Sequence, residues 1–183
     1  MTPEPEKVVF AHTVKALLSR VFERQNLLTP QVLEELAALG INPARPRDLA
    51  QEQWWKLIDL AARVLAPGAP PEEAYFMVGR EMLHGFEATV IGRSLFLVLR
   101  MLGTRRAMLR VADHYRTADT VAKLTARGLG PTSVEVTVEN TSPHAADYRR
   151  GVFLTALELV GARHPMVSFV FQNGTTVYTT SWE

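Results

Sequence analysis

Glu81 and His84 stand three residues apart in a helical stretch, the spacing that puts a carboxylate and an imidazole on one face, as in the di-metal sites of helix bundles. Such a site needs a second Glu-x-x-His and further glutamates on facing helices, and no second copy occurs. Glu81, His84 and Glu87 therefore read as a polar helix face, and no metal is expected. Hydrolytic chemistry would need a serine elbow, a His-Glu-x-x-His pair or a phosphate-cradling glycine loop, and none is present. Gly128-Leu129-Gly130 belongs to a hairpin turn, which accounts for its glycines. The chain has no cysteine, so it lacks a thiol nucleophile, a thiolate metal site and a disulfide framework. These residues predict a protein that is not an enzyme.

The net charge is +1, but residues 93–127 alone carry +6, including Arg100, Arg105, Arg106 and Arg110. Nucleic-acid proteins combine a larger excess with aromatic residues interleaved among the basic ones, which this stretch lacks. It reads as a solvated basic face, with an anion site as the alternative. The apolar run Leu95 to Leu99 is far below the roughly 20 residues of a membrane helix. With no apolar leader after Met1 either, a cytoplasmic protein without a membrane span is expected. Asn140-Thr141-Ser142 matches a glycosylation sequon and, in that setting, reads as loop chemistry.

The elements that position these residues begin with Val14, Leu17, Leu18, Val21 and Phe22, the apolar stripe of a helix running to about Gln25. Thr29-Pro30 starts a second helix that Gly40 closes. Asp48 and Gln51 resemble a capping box for a third, with Trp54, Ile58, Ala61 and Leu65 inward until Pro67. The stretch Tyr75 to Gly103 is helical in pattern yet holds Gly79, Gly85 and Gly92, each costing about 1 kcal/mol relative to alanine unless something approaches the backbone closely. Phe76, Leu83, Phe86, Val90, Leu97 and Met101 fall on one bulky face if the helix is continuous, with a break near Gly92 or Gly103 as the alternative. Gly85, Ala88 and Gly92 form a small-residue stripe, expected to admit a second helix from the N-terminal group or, as the alternative, from another subunit. Arg105 to Thr117 continues as a helix with Met108, Leu109 and Ala112 inward.

The period then changes from helix to strand. Val134, Val136 and Val138 alternate with polar residues and pair with Thr120 to Arg127 across Gly128–Pro131. Asp147 reads as the cap of a helix over Tyr148 to Val160, with Val152, Phe153, Ala156 and Val160 inward and Gly161 at its end. Asn173-Gly174 fits a type I′ turn joining Met166–Gln172 to Thr175–Trp182, which sets Phe171 opposite Thr176 and Phe169 opposite Tyr178. One strand face then carries Val167, Phe169, Phe171, Tyr178 and Trp182. Those strands lack Lys and Arg, so the face reads as core rather than as a platform for RNA bases. The fold class is α+β: a helical N-terminal two thirds packed on a four-stranded, mostly antiparallel sheet in a C-terminal ββαββ arrangement. A single domain is expected over 1–183, with a polar tail at 1–6, a mainly helical part at 7–118 and the ββαββ part at 119–183.

The run GREMLHGFEATVIGRSLFLVLRMLGTRRAMLRVADHYRT, the LGP at 129–131, the GVFLTALELVGA helix and the aromatic hairpin resemble a family of uncharacterised, mainly myxobacterial proteins of about this length. The likeness covers nearly the whole chain and implies no reaction. In architecture, helices followed by ββαββ are similar to the fold of haem-based nitric-oxide-binding domains, vinyl-reductase-type sensing domains and vesicle-tethering subunits. That resemblance implies an apolar pocket between helices and sheet, lined by Leu83, Phe86, Val90, Phe169, Phe171 and Tyr178. A haem would need an axial histidine, for which His114 in ADHYRT and His84 are the candidates, but the Tyr-x-Ser-x-Arg propionate motif is missing. His114 reads instead as a partly exposed helix-end residue, and no cofactor is expected.

The residues favour a regulatory or adaptor module acting through protein contacts or homodimerisation. The alternative is a sensor domain holding a small apolar ligand between helices and sheet.

Overall fold

The computed structural model describes residues 7–139 and 141–183; the tail 1–6 and Asn140 lie outside the described residues. The chain opens with β1 (Val8–Val9) and α1 (Ala11–Leu17), which widens into a π-helical turn over Leu18–Glu23. There follow α2 (Pro30–Ala38), β2 (Leu49–Ala50), α3 (Gln51–Leu65), α4 (Pro71–Glu87), α5 (Val90–Leu102), α6 (Thr104–Leu109) and α7 (Val111–Tyr115). The second part comprises β3 (Lys123–Gly130), β4 (Ser133–Glu139), α8 (Pro143–Leu159), β5 (Met166–Gln172) and β6 (Thr175–Ser181). β1 pairs with β2, and the main sheet has the order β3-β4-β6-β5, with every neighbouring pair antiparallel. The fold is thus α+β, with α1 to α7 preceding a four-stranded sheet and α8 joining its two hairpins. Among the described residues no single helix is long and apolar enough to cross a membrane.

Local chemistry sets the boundaries. Thr29 accepts from the amide of Val32 ahead of Pro30, which starts α2 with a side-chain cap and a residue whose missing N–H costs nothing there. The Asn173-Gly174 turn, both residues at positive φ, closes β5 on β6 with Phe171 opposite Thr176 and Phe169 opposite Tyr178.

Several expected boundaries move. Tyr75 to Gly103 is two helices that meet at 94°. Thr89 makes the corner: its hydroxyl donates to the Phe86 carbonyl at 2.7 Å and accepts from the Gly92 amide at 3.0 Å. The bulky residues therefore do not share a face, and beyond the corner Val90 is 84% and Met101 82% exposed, with Leu97 exposed between them. Asp48 does not cap α3; its Oδ1 accepts from the Ala11 amide at 2.8 Å and supports the start of α1. Asp147 lies inside α8, because Ser142 and Pro143 start that helix earlier and Ser142 Oγ accepts from the Ala145 amide. The Arg105–Thr117 stretch breaks at Arg110, where φ −103° and ψ 14° leave the helical region. β3 begins at Lys123 rather than Thr120, because Asp119 Oδ1 holds the amides of Val121 and Ala122 in a turn.

Two cores result. One lies among the helices, and the other between α6, α7, α8 and the sheet. α8 belongs to both: Tyr148 and Val152 face the helical core, while Phe153 and Leu157 face the sheet. Phe153 meets Tyr178 edge-on at 4.9 Å, a geometry worth about 1 kcal/mol beyond the area it buries. The Tyr178 hydroxyl is satisfied by donating to the Ala146 carbonyl at 3.0 Å.

Candidate functional site

A cavity of about 90 Å³ lies where the two cores meet. Trp54 and Trp55 of α3, Leu83 and Phe86 of α4, Phe96 of α5 and Val152 and Phe153 of α8 give it an apolar wall. The helical periods of α3, α4 and α8 bring these side chains together, and the corner at Thr89 folds α5 back so that Phe96 and Leu99 join them.

The residues expected to line a pocket divide. Leu83 and Phe86 stand on the wall. Val90 lies past the corner and faces away. Phe169, Phe171 and Tyr178 are on the sheet face, but α8 packs between that face and α4, so they do not reach the cavity. Tyr178 is buried against Phe153, Phe169 is half-buried beside it, and Phe171 near the hairpin end is exposed. The chamber is bounded by α8 where the strands were expected.

The small-residue stripe also divides. A Cβ on Gly85 would stand 2.4 Å from the Ala16 carbonyl oxygen, so Gly85 seats α1 on α4. Ala88 is the exposed C-terminal cap of α4, and Gly92 is pressed against the Phe86 carbonyl within the corner. Glu81 pairs with Arg20 at 2.6 Å and Glu87 with Arg100 at 3.4 Å, while His84 is half-buried between them. Within the basic region, Arg105 donates to the Gly130 carbonyl, Arg127 pairs with Glu135 and Lys123 with Glu139, so these cations serve the hairpin.

One end of the cavity is polar. Arg149 of α8 is 4% exposed; its Nη1 donates to Thr141 Oγ1 at 2.8 Å, and its guanidinium stacks 5.5 Å over the Trp55 ring. Its Nε has no hydrogen-bond partner among the described residues. Asp119 lines the same end, with its carboxyl pKa raised by burial against the lowering pull of two amides and of Arg149. Burial pushes the Tyr115 hydroxyl up to about 12 and holds that of Tyr148 well above its ordinary value. His114 lines the wall with its Nε2 unpartnered among the described residues, and burial lowers its pKa, as does Arg110, against the opposing charge of Asp113. The imidazole therefore stays neutral near pH 7.

Arg149 and Asp119 did not stand out as site residues in the sequence. The signal for Arg149 was its position, three and four residues before Val152 and Phe153, on the inward stripe of an amphipathic helix.

A family model described as Protein of unknown function (DUF2378) matches residues 7–183. The chain belongs to this family. No curated protein matches the DUF2378 chain in sequence. Among solved structures it is similar to an oxygen-binding H-NOX domain related to soluble guanylate cyclases, solved as its oxygen complex, with 13% identity, 94% of each chain covered and a TM-score of 0.67. It is also similar to a mutant H-NOX of T. tengcongensis, with 13% identity, 95% of this chain and 98% of that chain covered, and a TM-score of 0.65. At such identity the likeness shows the fold alone.

A haem, which H-NOX structures bring to mind, does not fit this chamber. His114 offers an unpartnered imidazole nitrogen, but pockets that engulf drug-sized ligands span about 300–1,000 Å³. Here the space is about 90 Å³, and the side chains of Trp55, Phe86, Phe96 and Phe153 stand around it.

Proposed function

We propose that this DUF2378 chain is a non-enzymatic sensor domain that takes a small apolar molecule into the cavity between α3, α4, α5 and α8. The observation that carries the reading is the cavity itself. Protein interiors pack to crystal density with few voids larger than a water, whose share of liquid volume is about 30 Å³. This void is about 90 Å³ and lies against α8, a helix shared by both cores. An occupant would touch the helical core through Trp55 and the sheet core through Phe153, so binding would bias how α8 sits between them. The H-NOX fold supports a sensing role by analogy. Tyr115 and Tyr148, held neutral by burial, suit hydrogen-bond donation rather than base catalysis.

Titration with 1-hexanol tests this, with the fluorescence of Trp54 and Trp55 as the local reporter. A saturable change accompanied by a rise in melting temperature is expected, since a ligand that binds only the native chain stabilises it. No change in either quantity up to the solubility limit would overturn the reading.

A second reading, self-association, is favoured by the exposed face of α5. Val90, Ile91, Leu97, Val98 and Met101 are all exposed and repeat at helical spacing. The occupant proposed is a second copy, because two such helices related by a two-fold axis cover both stripes at once. Light scattering coupled to size exclusion distinguishes a dimer from a monomer, and a strict monomer at high concentration overturns this reading alone.

A further inference from the structure

Resting on the reading of the cavity as a ligand chamber, we propose that the ligand is a small monocarboxylate, its apolar tail in the chamber and its carboxylate held by Arg149. A buried guanidinium is costly unless an anion neutralises it. Arg149 is 4% exposed, lines the cavity, and has Thr141 and the Trp55 ring as neutral neighbours, while its Nε–H donor is unpartnered among the described residues. Asp119, the other formally charged group on the wall, is not joined to it by an ion pair among the described residues. Its Oδ1 instead accepts from the amides of Val121 and Ala122 at 2.9 and 3.0 Å. Burial raises the Asp119 carboxyl pKa more than Arg149 lowers it, as expected for a weak counter-ion. The groups around the guanidinium are thus one carboxyl already engaged with backbone, the hydroxyls of Tyr115 and Tyr148, and aromatic carbon.

A carboxylate is the complement of this arrangement, because a planar guanidinium edge matches its two oxygens and the charge-assisted bonds are stronger than neutral ones. The nearby Asp119 disfavours a second negative charge, which restricts the ligand to a monoanion. The apolar remainder of the wall asks for a tail without polar groups.

The experiment compares hexanoate, 1-hexanol and hexylamine, which share one tail, by tryptophan fluorescence and calorimetry at fixed ionic strength. Hexanoate is expected to bind at least tenfold tighter than hexanol, with hexylamine weakest. Arg149→Gln is expected to abolish the preference, bringing hexanoate and hexanol to one affinity, with circular dichroism showing that the variant is folded. Should that variant fail to fold, the three-ligand comparison on the unaltered chain decides by itself. Equal affinities for hexanoate and hexanol, tighter hexylamine, or hexanoate binding indifferent to Arg149→Gln would overturn the carboxylate assignment and leave the chamber reading standing. If none of the three binds, the chamber reading fails and the assignment falls with it.

Discussion

Gly79 of α4 and Gly151 of α8 sit at one helix crossing, each pressed against the backbone of the other's helix. A Cβ on Gly79 would stand 1.9 Å from the Tyr148 carbonyl oxygen, and one on Gly151 would stand 2.1 Å from that of Phe76. The crossing sets how α8 presents Arg149 and Val152 to the cavity. Gly79→Ala and Gly151→Ala are each expected to cost about 3 kcal/mol or more, since backbone cannot give way as a flexible side chain can. Gly68→Ala, at a loop position with φ +80° and no atom within 4 Å, should cost only about 1 kcal/mol of backbone strain. Urea denaturation of the three variants checks the ranking, and equal small losses would contradict the crossing.

The four tyrosines give a pH signature. All have raised hydroxyl pKa values, chiefly through burial, and Tyr75 also donates to Asp59 at 2.7 Å. A group whose pKa is raised on folding contributes stability below its unfolded value that is lost as pH rises through the folded one. For Tyr115 the window runs from 10 to about 12 and corresponds to about 2–3 kcal/mol. Phenolate absorbance near 295 nm should therefore stay low at pH 10 and rise together with unfolding. A gradual titration centred at 10 in a chain still folded by circular dichroism would contradict the burial of these rings.

The α5 surface gives an opposite expectation. Leu97 and Met101 support no core, so Leu97→Glu and Met101→Glu should change stability by no more than about 0.5 kcal/mol. If α5 mediates self-association, the same variants convert dimer to monomer in light scattering. A large loss of stability would show that the face is covered within the chain.

Much of this architecture was legible in the sequence because it rests on local rules. The Asn173-Gly174 turn led directly to the observed β5–β6 register, and the alternation in Val134–Val138 to a strand paired with the one before it. Gly85 signalled a close neighbour, which is the Ala16 backbone of α1. A break near Gly92 or Gly103 stood only as an alternative, because Thr-Val-Ile-Gly continues the 3.6-residue period, and the cap bond from the Gly92 amide to Thr89 marks where the new helix starts. The bend separates Val90 from Leu83 and Phe86, with which an unbroken period groups it. Alternation gives Phe169 and Phe171 a common face but not the element covering it, and α8 takes that place. Arg149 and Asp119 are 30 residues apart in the chain and meet only through the packing of α8 on the turn before β3.

The most direct test fills the chamber. Ala156 lines the cavity from α8, so Ala156→Leu would place three further carbons in the space proposed for the ligand. Fluorescence titration of this variant and the unaltered chain with 1-hexanol reads the effect. Saturable binding by the unaltered chain is expected, with at least a tenfold loss in Ala156→Leu and its melting temperature preserved. Undiminished hexanol binding by a folded Ala156→Leu would contradict the chamber reading.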